Sequence, residues 1–354
     1  MDKVYIVTGA KGHLGNHVVR KLLDRDETVI PLALPGDTSP ALDDVCNEMA
    51  WADICQPEQL EKVFVSCREQ YPLAELYVIH AAGIVTIGSK YQEIVQKVNV
   101  EGTRNVVKMC EKYSVRRLVY VSSVHAIPEK EKGEPSTEIV AFHPHLVRGL
   151  YAKTKAQATQ IVLDAVSEGL NAVVVHPSGI IGPEDYCVGH TSQLIIDYLE
   201  GKLVAGVKGG FDFVDVRDVA DGILRACDQG RTGEAYILSN RYVDVIELLN
   251  MLHNATGQRR IATVLPLFVA KATAPLAELY YKILKQKPLY TKYSLFTLQG
   301  NALFSHDKAT RELGYHPRPI EETVQDSADW LLKTGRARLI KRGKQHRHKA
   351  VIKN

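Results

Sequence analysis

The chain has 354 residues, 45% hydrophobic and 24% charged, with a formal net charge of +3 at pH 7, values ordinary for a soluble globular protein. Its length suits one large α/β domain or two domains of unequal size. No apolar run reaches the ~20 uncharged residues of a membrane span, and "MDKVYIVTGA" leads straight into a strand without a signal-peptide pattern, so the expected location is cytoplasmic.

Strands and helices alternate from the start. "KVYIVTG" reads as a buried strand, "HLGNHVVRKLLDR" as a helix and "ETVIPLAL" as a second strand. Further strand-like runs are "ELYVIHAAG", "RRLVYVSS" and "NAVVVHPSG", with helical patterns at 89–112 and 150–168. Such alternation predicts an α/β fold, a doubly wound parallel sheet with helices on both faces. Beyond residue 176 the loops lengthen around "GIIGPEDYCVGH", and "FDFVDVRDVADGILRACD" reads as a strand and a helix. The apolar stretch 263–286 is broken by Pro266 and Pro275 and interrupted by Lys271, Glu278 and Lys282. It reads as one or two amphipathic helices that pack over the fold or lie on a membrane surface. From Arg336 to Asn354 the chain carries eight Lys or Arg and no acid, which leaves 36 basic residues against 41 acidic in the body. This basic tail reads as a solvated extension, the alternative being contact with anionic lipid or nucleic acid. The six cysteines (Cys46, Cys55, Cys67, Cys110, Cys187, Cys227) show no CxxC or paired spacing and read as reduced thiols, with no metal site expected.

"TGAKGHLG", Thr8 to Gly15, lies between the first strand and the first helix, with Gly9, Gly12 and Gly15 spaced GxxGxxG. Backbone without Cβ atoms lets a pyrophosphate approach a helix N-terminus, where free N–H groups and the helix dipole favour anions. A nucleotide cofactor is therefore expected here. "YAKTK" at 151–155 puts Tyr151 and Lys155 one helical turn apart on one face, a spacing common by chance and informative only in context.

That context is an ordered series of motifs. TGxxGxxG at the start and YxxxK near residue 150 resemble the extended short-chain dehydrogenase/reductases, whose fold is the Rossmann type with a smaller, partly helical C-terminal substrate lobe. "ADI" at 52–54, "HAAG" at 80–83, "NVEGT" at 99–103, "VSS" at 121–123, "HPSGIIGP" at 176–183 and "FVDVRDVA" match the family's pieces in the family's order, over residues 1–240. The resemblance implies a dinucleotide-binding domain over 1–175, with 202–240 returning to it, and a substrate lobe from 176–201 and 241–335. It implies that the glycine turn holds the cofactor through Gly9, Lys11, Gly12, His13, Leu14 and Gly15, while Asp53 and Ile54 hold the adenine. Farther along, His80, Ala81, Ala82 and Gly83 line the cofactor, as do Pro177, Ser178, Gly179 and Ile180.

It also implies a catalytic set of Ser123, Tyr151 and Lys155. A phenol of pKa ~10 is poorly matched to proton transfer near neutrality, and a cation one turn away in a partly dry cleft favours its ionised form. In the family, the lysine also bonds the nicotinamide ribose. Ser123 corresponds to the second serine of the family's pair, with Ser122 as the substitute and a strand-end cap as the other reading. Asn99 anchors a water or backbone near Lys155, or caps a helix start. His80 reads as a cofactor-lining residue and His176 as structural in place of the family's arginine. His125 and Tyr186 are candidates to touch substrate, His125 alternatively being a packed or exposed histidine.

The dehydratases of the family place an acidic pair after the catalytic serine, where this chain has Val124 and His125, so dehydration is not expected. The nucleotide-sugar epimerases usually show VYG after the serines and an asparagine in the segment where this chain has Ser178. The pattern lies closer to the dihydroflavonol reductase and hydroxysteroid dehydrogenase branch. The expectation is an NAD(P)-dependent reductase or dehydrogenase of a small, relatively apolar carbonyl or alcohol. Epimerisation is the runner-up and a non-catalytic nucleotide sensor the alternative of another class. Relatives are often dimers through two helices, so a homodimer is one expectation; no specific nucleic-acid partner is expected. The second strand ends "PLALPGD", with Ala33 and Leu34 where NAD enzymes usually carry an acid, and Asp37 beyond Pro35-Gly36. Lys11 is placed to favour a 2′-phosphate, so NADP is favoured over NAD, unless Asp37 turns back to the ribose.

Overall fold

The computed structural model describes residues 2–46, 48–86, 91–266, 268, 269, 272 and 298–339. In chain order they form β1 (Lys3–Thr8), α1 (His13–Leu23), β2 (Thr28–Ala33), the two-residue β3 (Ala50–Trp51), α2 (Pro57–Gln70) and β4 (Glu75–His80). Next, α3 (Glu93–Gln96) passes through a π turn (Lys97–Gly102) into α4 (Thr103–Lys112), followed by β5 (Arg117–Val121), α5 (Leu150–Ser167) and β6 (Ala172–Pro177). One residue later comes β7 (Gly179–Ile181), then α6 (His190–Leu199), β8 (Gly206–Val207), β9 (Gly210–Asp215), α7 (Val216–Gln229) and β10 (Ala235–Leu238). The described chain closes with β11 (Arg241–Asp244), α8 (Val245–Thr256), β12 (Val264–Leu265), α9 (Asp307–Leu313) and α10 (Ile320–Lys333).

Seven strands make one parallel sheet in the order β10-β6-β5-β4-β1-β2-β3. Their near-continuous apolar sequences follow from burial on both faces. In β1, Val4 and Ile6 join Leu60 and Phe64 of α2, Val106 of α4 and Val162 of α5. The alternate residues Tyr5 and Val7 join Val18 and Leu22 of α1 and Val219 and Ile223 of α7 on the other face. The connections run in opposite directions on the two sides of β1, between β2 and β4, which is the switch point where such sheets open a crevice at their carboxyl ends. The register pairs Thr8 with His80, His80 with Tyr120 and Val121 with Val175, so those ends lie side by side.

The strands β11, β9 and β7 form a second sheet, backed by α6, α8 and α10 through Ile181, Ile195, Leu248, Leu252, Val324 and Leu331. Between β9 and β11, α7 and β10 return to the large sheet: β10 pairs with β6, and α7 lies on α1 with Lys21 and Asp221 2.8 Å apart. Asp215, fully buried, caps α7 by accepting the Arg217 N–H, and Arg217 reaches Asp326 of α10 at 2.7 Å.

The helical pattern expected at 89–112 is α3 and α4 with the π turn between them, beginning at Glu93. The start of the 263–286 stretch is strand β12, not helix; most of that stretch and residues 340–354 of the basic tail lie outside the described residues. No disulfide joins any of the six cysteines. Among the described residues no helix is long and apolar enough to cross a membrane, and no cluster of potential metal ligands occurs.

Candidate active site

The glycine turn is fixed by close approaches. Gly9 has φ +68°, and a Cβ there would lie 2.8 Å from backbone atoms of Ala82; a Cβ on Gly15 would lie 2.1 Å from the Gly9 carbonyl oxygen. Gly12 caps α1 with no side-chain hydrogen bond, and no acid stands in the first turn. The N-terminus of α1 is thus shaped and charged for an anion, as a dinucleotide pyrophosphate requires. His13 and His17 donate from Nε2 to the Pro183 carbonyl at 2.9 and 3.2 Å, tying α1 to the end of "HPSGIIGP". Leu14, Ala81 and Ile180 are partly buried against the core on this side.

His80 is fully buried, and its bonds set its tautomer. Thr8 Oγ1 accepts the Ala82 N–H (3.2 Å), leaving its proton for His80 Nδ1 (2.7 Å). Thr103 Oγ1 gives its proton to the Asn99 carbonyl (2.7 Å), so it accepts from His80 Nε2–H (3.0 Å). Burial pulls the imidazole pKa down to about 3, so it stays neutral and serves as a cross-link.

Asn99 lies inside the π turn, so it does not cap a helix start. Its Oδ1 accepts the Ile84 N–H (2.8 Å), and its Nδ2 donates to the Ile84 carbonyl (3.0 Å) and Thr154 Oγ1 (3.1 Å). The segment after "HAAG" is thereby clamped to α5. A Cβ on Gly83 would stand 3.2 Å from Asn99 Oδ1 and 3.5 Å from Lys155 Nζ, which brings Gly83, Asn99 and Lys155 together.

Lys155 is 5% exposed. Its Nζ donates to the Val121 carbonyl at 2.8 Å and lies 5.0 Å from the Tyr120 ring centroid. Burial lowers its pKa to about 7. Tyr151, 8% exposed, lies one turn earlier on α5, its ring nearly perpendicular to that of His125 (73°) at 6.0 Å between centroids.

The two serines differ in what their protons do. Thr159 Oγ1 donates to the Lys155 carbonyl (2.7 Å), so Ser122, 2.6 Å away, must donate to Thr159; its hydroxyl holds α5. Ser123 Oγ accepts the His125 N–H (3.3 Å), and no acceptor for its own proton occurs among the described residues. Ser123 is the serine with a hydroxyl to offer. Beyond it, His125 stacks on Phe211 of β9 (5.2 Å, 21°), and Phe211 meets Phe213 and Phe304.

Just beyond β3, Asp53 Oδ1 accepts the Cys55 N–H (2.9 Å), and Ile54 fills the space that a Cβ on Gly102 would need. Lys11 Nζ sits 3.5 Å from Asp43 Oδ1 and 5.5 Å from the Trp51 ring, beside the end of β2. Asp37 Oδ1 accepts the Ser39 N–H (2.9 Å). Ser178 donates its N–H to the Leu238 carbonyl (3.2 Å) just after Pro177, and Gly179 admits the rings of Phe211 and Phe213, each 3.0 Å from where a Cβ would be. Tyr186 is held in a separate cluster, edge-on to Trp330 (5.3 Å) and beneath the Arg336 guanidinium (5.2 Å). Sequence reasoning missed Thr154, Thr159 and Phe211. The two threonines had a signal in their spacing on the α5 face; Phe211 had none.

The seven-stranded sheet with a glycine turn at its switch point defines a doubly wound α/β protein of the Rossmann type. The family described as NAD dependent epimerase/dehydratase matches residues 5–239, and the chain belongs to that family. Its relatives include named reductases and dehydrogenases, and it is an NAD(P)-dependent oxidoreductase of the extended short-chain type. It is 29% identical over 335 residues to sterol demethylase protein B of Methylococcus capsulatus, covering 93% of this chain and 98% of the relative. It is 28% identical over 339 residues to a putative dihydroflavonol 4-reductase of Synechocystis, covering 95% and 96%. The crystal structure of gox2253 superposes with a TM-score of 0.81 at 30% identity, covering 95% of this chain and 100% of that one.

Proposed function

We propose that the protein interconverts a ketone or aldehyde and the corresponding alcohol on a relatively apolar small molecule. The observation that carries this reading is Lys155: a buried ammonium whose bond goes to a neutral carbonyl, with no carboxylate paired to it among the described residues. Such a charge is costly to the fold and is retained where it has work to do.

The glycine turn, Asp53, the "HAAG" turn and Lys155 would hold the dinucleotide, which supplies or takes a hydride when bound. Ser123 donates its O–H to the substrate oxygen, and Tyr151 gives that oxygen its proton in reduction or removes it in oxidation. Lys155 favours ionised Tyr151 and orients the ribose. Asn99 keeps α5 in register with the cofactor-lining turn. NADP is the favoured dinucleotide, on Lys11 beside the end of β2 and the lack of an acid at Ala33 and Leu34. Six cysteines without a disulfide suit a reducing compartment, and the cytoplasm is the proposed location.

The test is turnover of a panel of ketones, aldehydes, steroids, flavonoids and UDP-sugars with NADH and NADPH. Tyr151→Phe should remove at least about 10² of ketone turnover with dinucleotide affinity nearly intact. Retained ketone turnover would overturn the mechanism, and turnover confined to UDP-sugars would move the assignment to epimerisation.

A further inference from the structure

β5 meets Lys155 through two consecutive residues. The Val121 carbonyl accepts a hydrogen bond from Nζ at 2.8 Å, and the Tyr120 ring lies under the same nitrogen, 5.0 Å from its centroid. Tyr120 is fully buried, and its register partner His80 on β4 borders it, the two rings 5.6 Å apart. The other buried residues of β5 are Leu118, Val119 and Val121, so the strand's one aromatic side chain stands where the buried cation lies. Burial pushes the Tyr120 phenol well above the usual tyrosine range, so the ring that faces Lys155 is neutral. The face of a neutral aromatic ring attracts a cation through its quadrupole, more strongly where water is excluded.

We propose that Tyr120 is a positioning residue: the face of its ring keeps Lys155 protonated and, with the Val121 carbonyl, holds it in place to act on Tyr151. Burial works against the ammonium. It takes the Lys155 pKa down to about 7, so near neutrality any contact that favours the charged form decides how many molecules carry it. The titratable groups around Lys155 are Tyr151 on its own helix, Tyr120 on β5, His80 on β4 and His176 on β6, with His125 beyond Tyr151. Burial takes His80 to about 3 and His125 and His176 to about 4, which leaves all three neutral. Gly83 and Asn99, on the remaining side, bring no charge. Apart from ionised Tyr151, Tyr120 is thus the side chain among the described residues placed to favour the ammonium. Without its ring, Lys155 gives up its proton at a lower pH and no longer favours ionised Tyr151. This inference rests on the carbonyl–alcohol reading of the site.

The experiment titrates Lys155 directly in the intact protein with saturating dinucleotide. The readout is the Cε resonance in carbon-13 lysine-labelled protein, assigned by its loss in Lys155→Met. Tyr120→Phe keeps the ring and should titrate within about 0.2 pH units of the wild type, whereas Tyr120→Leu should titrate at least about one unit lower. Replacing Tyr120 by 4-fluorophenylalanine keeps the packing but draws charge from the ring face, and should lower the midpoint by about half a unit. Turnover of a ketone accepted by the wild type should follow. In Tyr120→Leu kcat should fall about tenfold at pH 8 and only about twofold near pH 6, with KM little changed, as the charged fraction of Lys155 dictates. Tyr120→Phe should stay within about twofold throughout. An unshifted midpoint in Tyr120→Leu, or a loss of kcat equal at both pH values, would overturn the inference and leave Tyr120 a packing residue. If Tyr120→Leu does not fold, equal midpoints in the phenylalanine and 4-fluorophenylalanine proteins would overturn it. No Tyr151-dependent turnover of any ketone would instead overturn the carbonyl–alcohol reading, while the Lys155 titration still decides the Tyr120 contact.

Discussion

His176 Nδ1 lies 2.9 Å from the carbonyl oxygen of Ser123, so a histidine of β6 holds the backbone of the serine two residues beyond the neighbouring strand β5. The acceptor is a carbonyl, which puts the proton on Nδ1. The ring stacks on Phe142 at 5.1 Å, and burial takes its pKa to about 4, so it stays neutral. Replacing it by leucine should free the Ser123 backbone and lower kcat about tenfold or more with KM little changed, because small misplacements of an oxygen-binding group are costly in the transition state. His176→Asn, whose amide can donate from nearly the place of Nδ1, should recover most of the rate. Equal loss in both variants would mean that packing, not the hydrogen bond, is what matters.

Lys155 should carry a measurable cost in stability. Its folded-state pKa of about 7 lies below the unfolded value of 10.5, so between those values the unfolded chain binds more protons and stability rises with pH. Lys155→Met should therefore melt several degrees higher than the wild type at pH 6–7, with the gap narrowing toward pH 10, while turnover and dinucleotide affinity both fall. Thermal unfolding across that pH range checks the sign; a variant less stable at every pH would refute it.

The glycine turn offers a steric contrast. A Cβ on Gly15 would lie 2.1 Å from the Gly9 carbonyl oxygen, whereas one on Gly12 would lie 3.1 Å from the same atom. Gly15→Ala should weaken dinucleotide binding by at least about a hundredfold or prevent folding, since backbone must move to admit it. Gly12→Ala should fold with a near-native melting curve and lose affinity only. Calorimetric titration with NADPH, alongside melting curves, separates the two effects.

Lys11 should set dinucleotide preference. NADPH should bind more tightly than NADH, and Lys11→Ala should erase most of the difference. Asp43→Asn, which removes the carboxylate 3.5 Å from Lys11 Nζ, should strengthen NADPH binding by several-fold and leave NADH nearly unchanged. Tighter NADH binding, insensitive to Lys11→Ala, would reverse the preference.

What the sequence made legible was local. The glycine spacing, the Tyr151–Lys155 turn and the serine pair are read within a few residues, because a tight turn or one helical turn fixes their geometry. The large sheet followed from alternation, since parallel strands buried on both faces leave unbroken apolar runs. The second sheet was not legible: its strands are three to six residues long and pair across a helix and a strand that belong to the other sheet. For the same reason nothing near Phe211 in sequence announces its contact with His125, 86 positions earlier. The roles of His80 and Asn99 depend on partners at Thr8, Thr103 and Thr154, which only the folded chain assembles.

One residue, Ser178, carries the chain from β6 into β7, and Gly179 opposite Phe213 leaves no room for a side chain. The joint therefore has a fixed length. An inserted residue would shift β7 by one position, turn its side chains to the opposite face and set a Cβ against the Phe211 and Phe213 rings. By contrast, 128–143 is a long connection between regular elements and mostly lies on the surface. Attempts to redirect this scaffold to other substrates by changing loop length should succeed along the exposed residues 129–135 of that connection and fail at residue 178, where only side-chain exchange on the second sheet is open to the engineer.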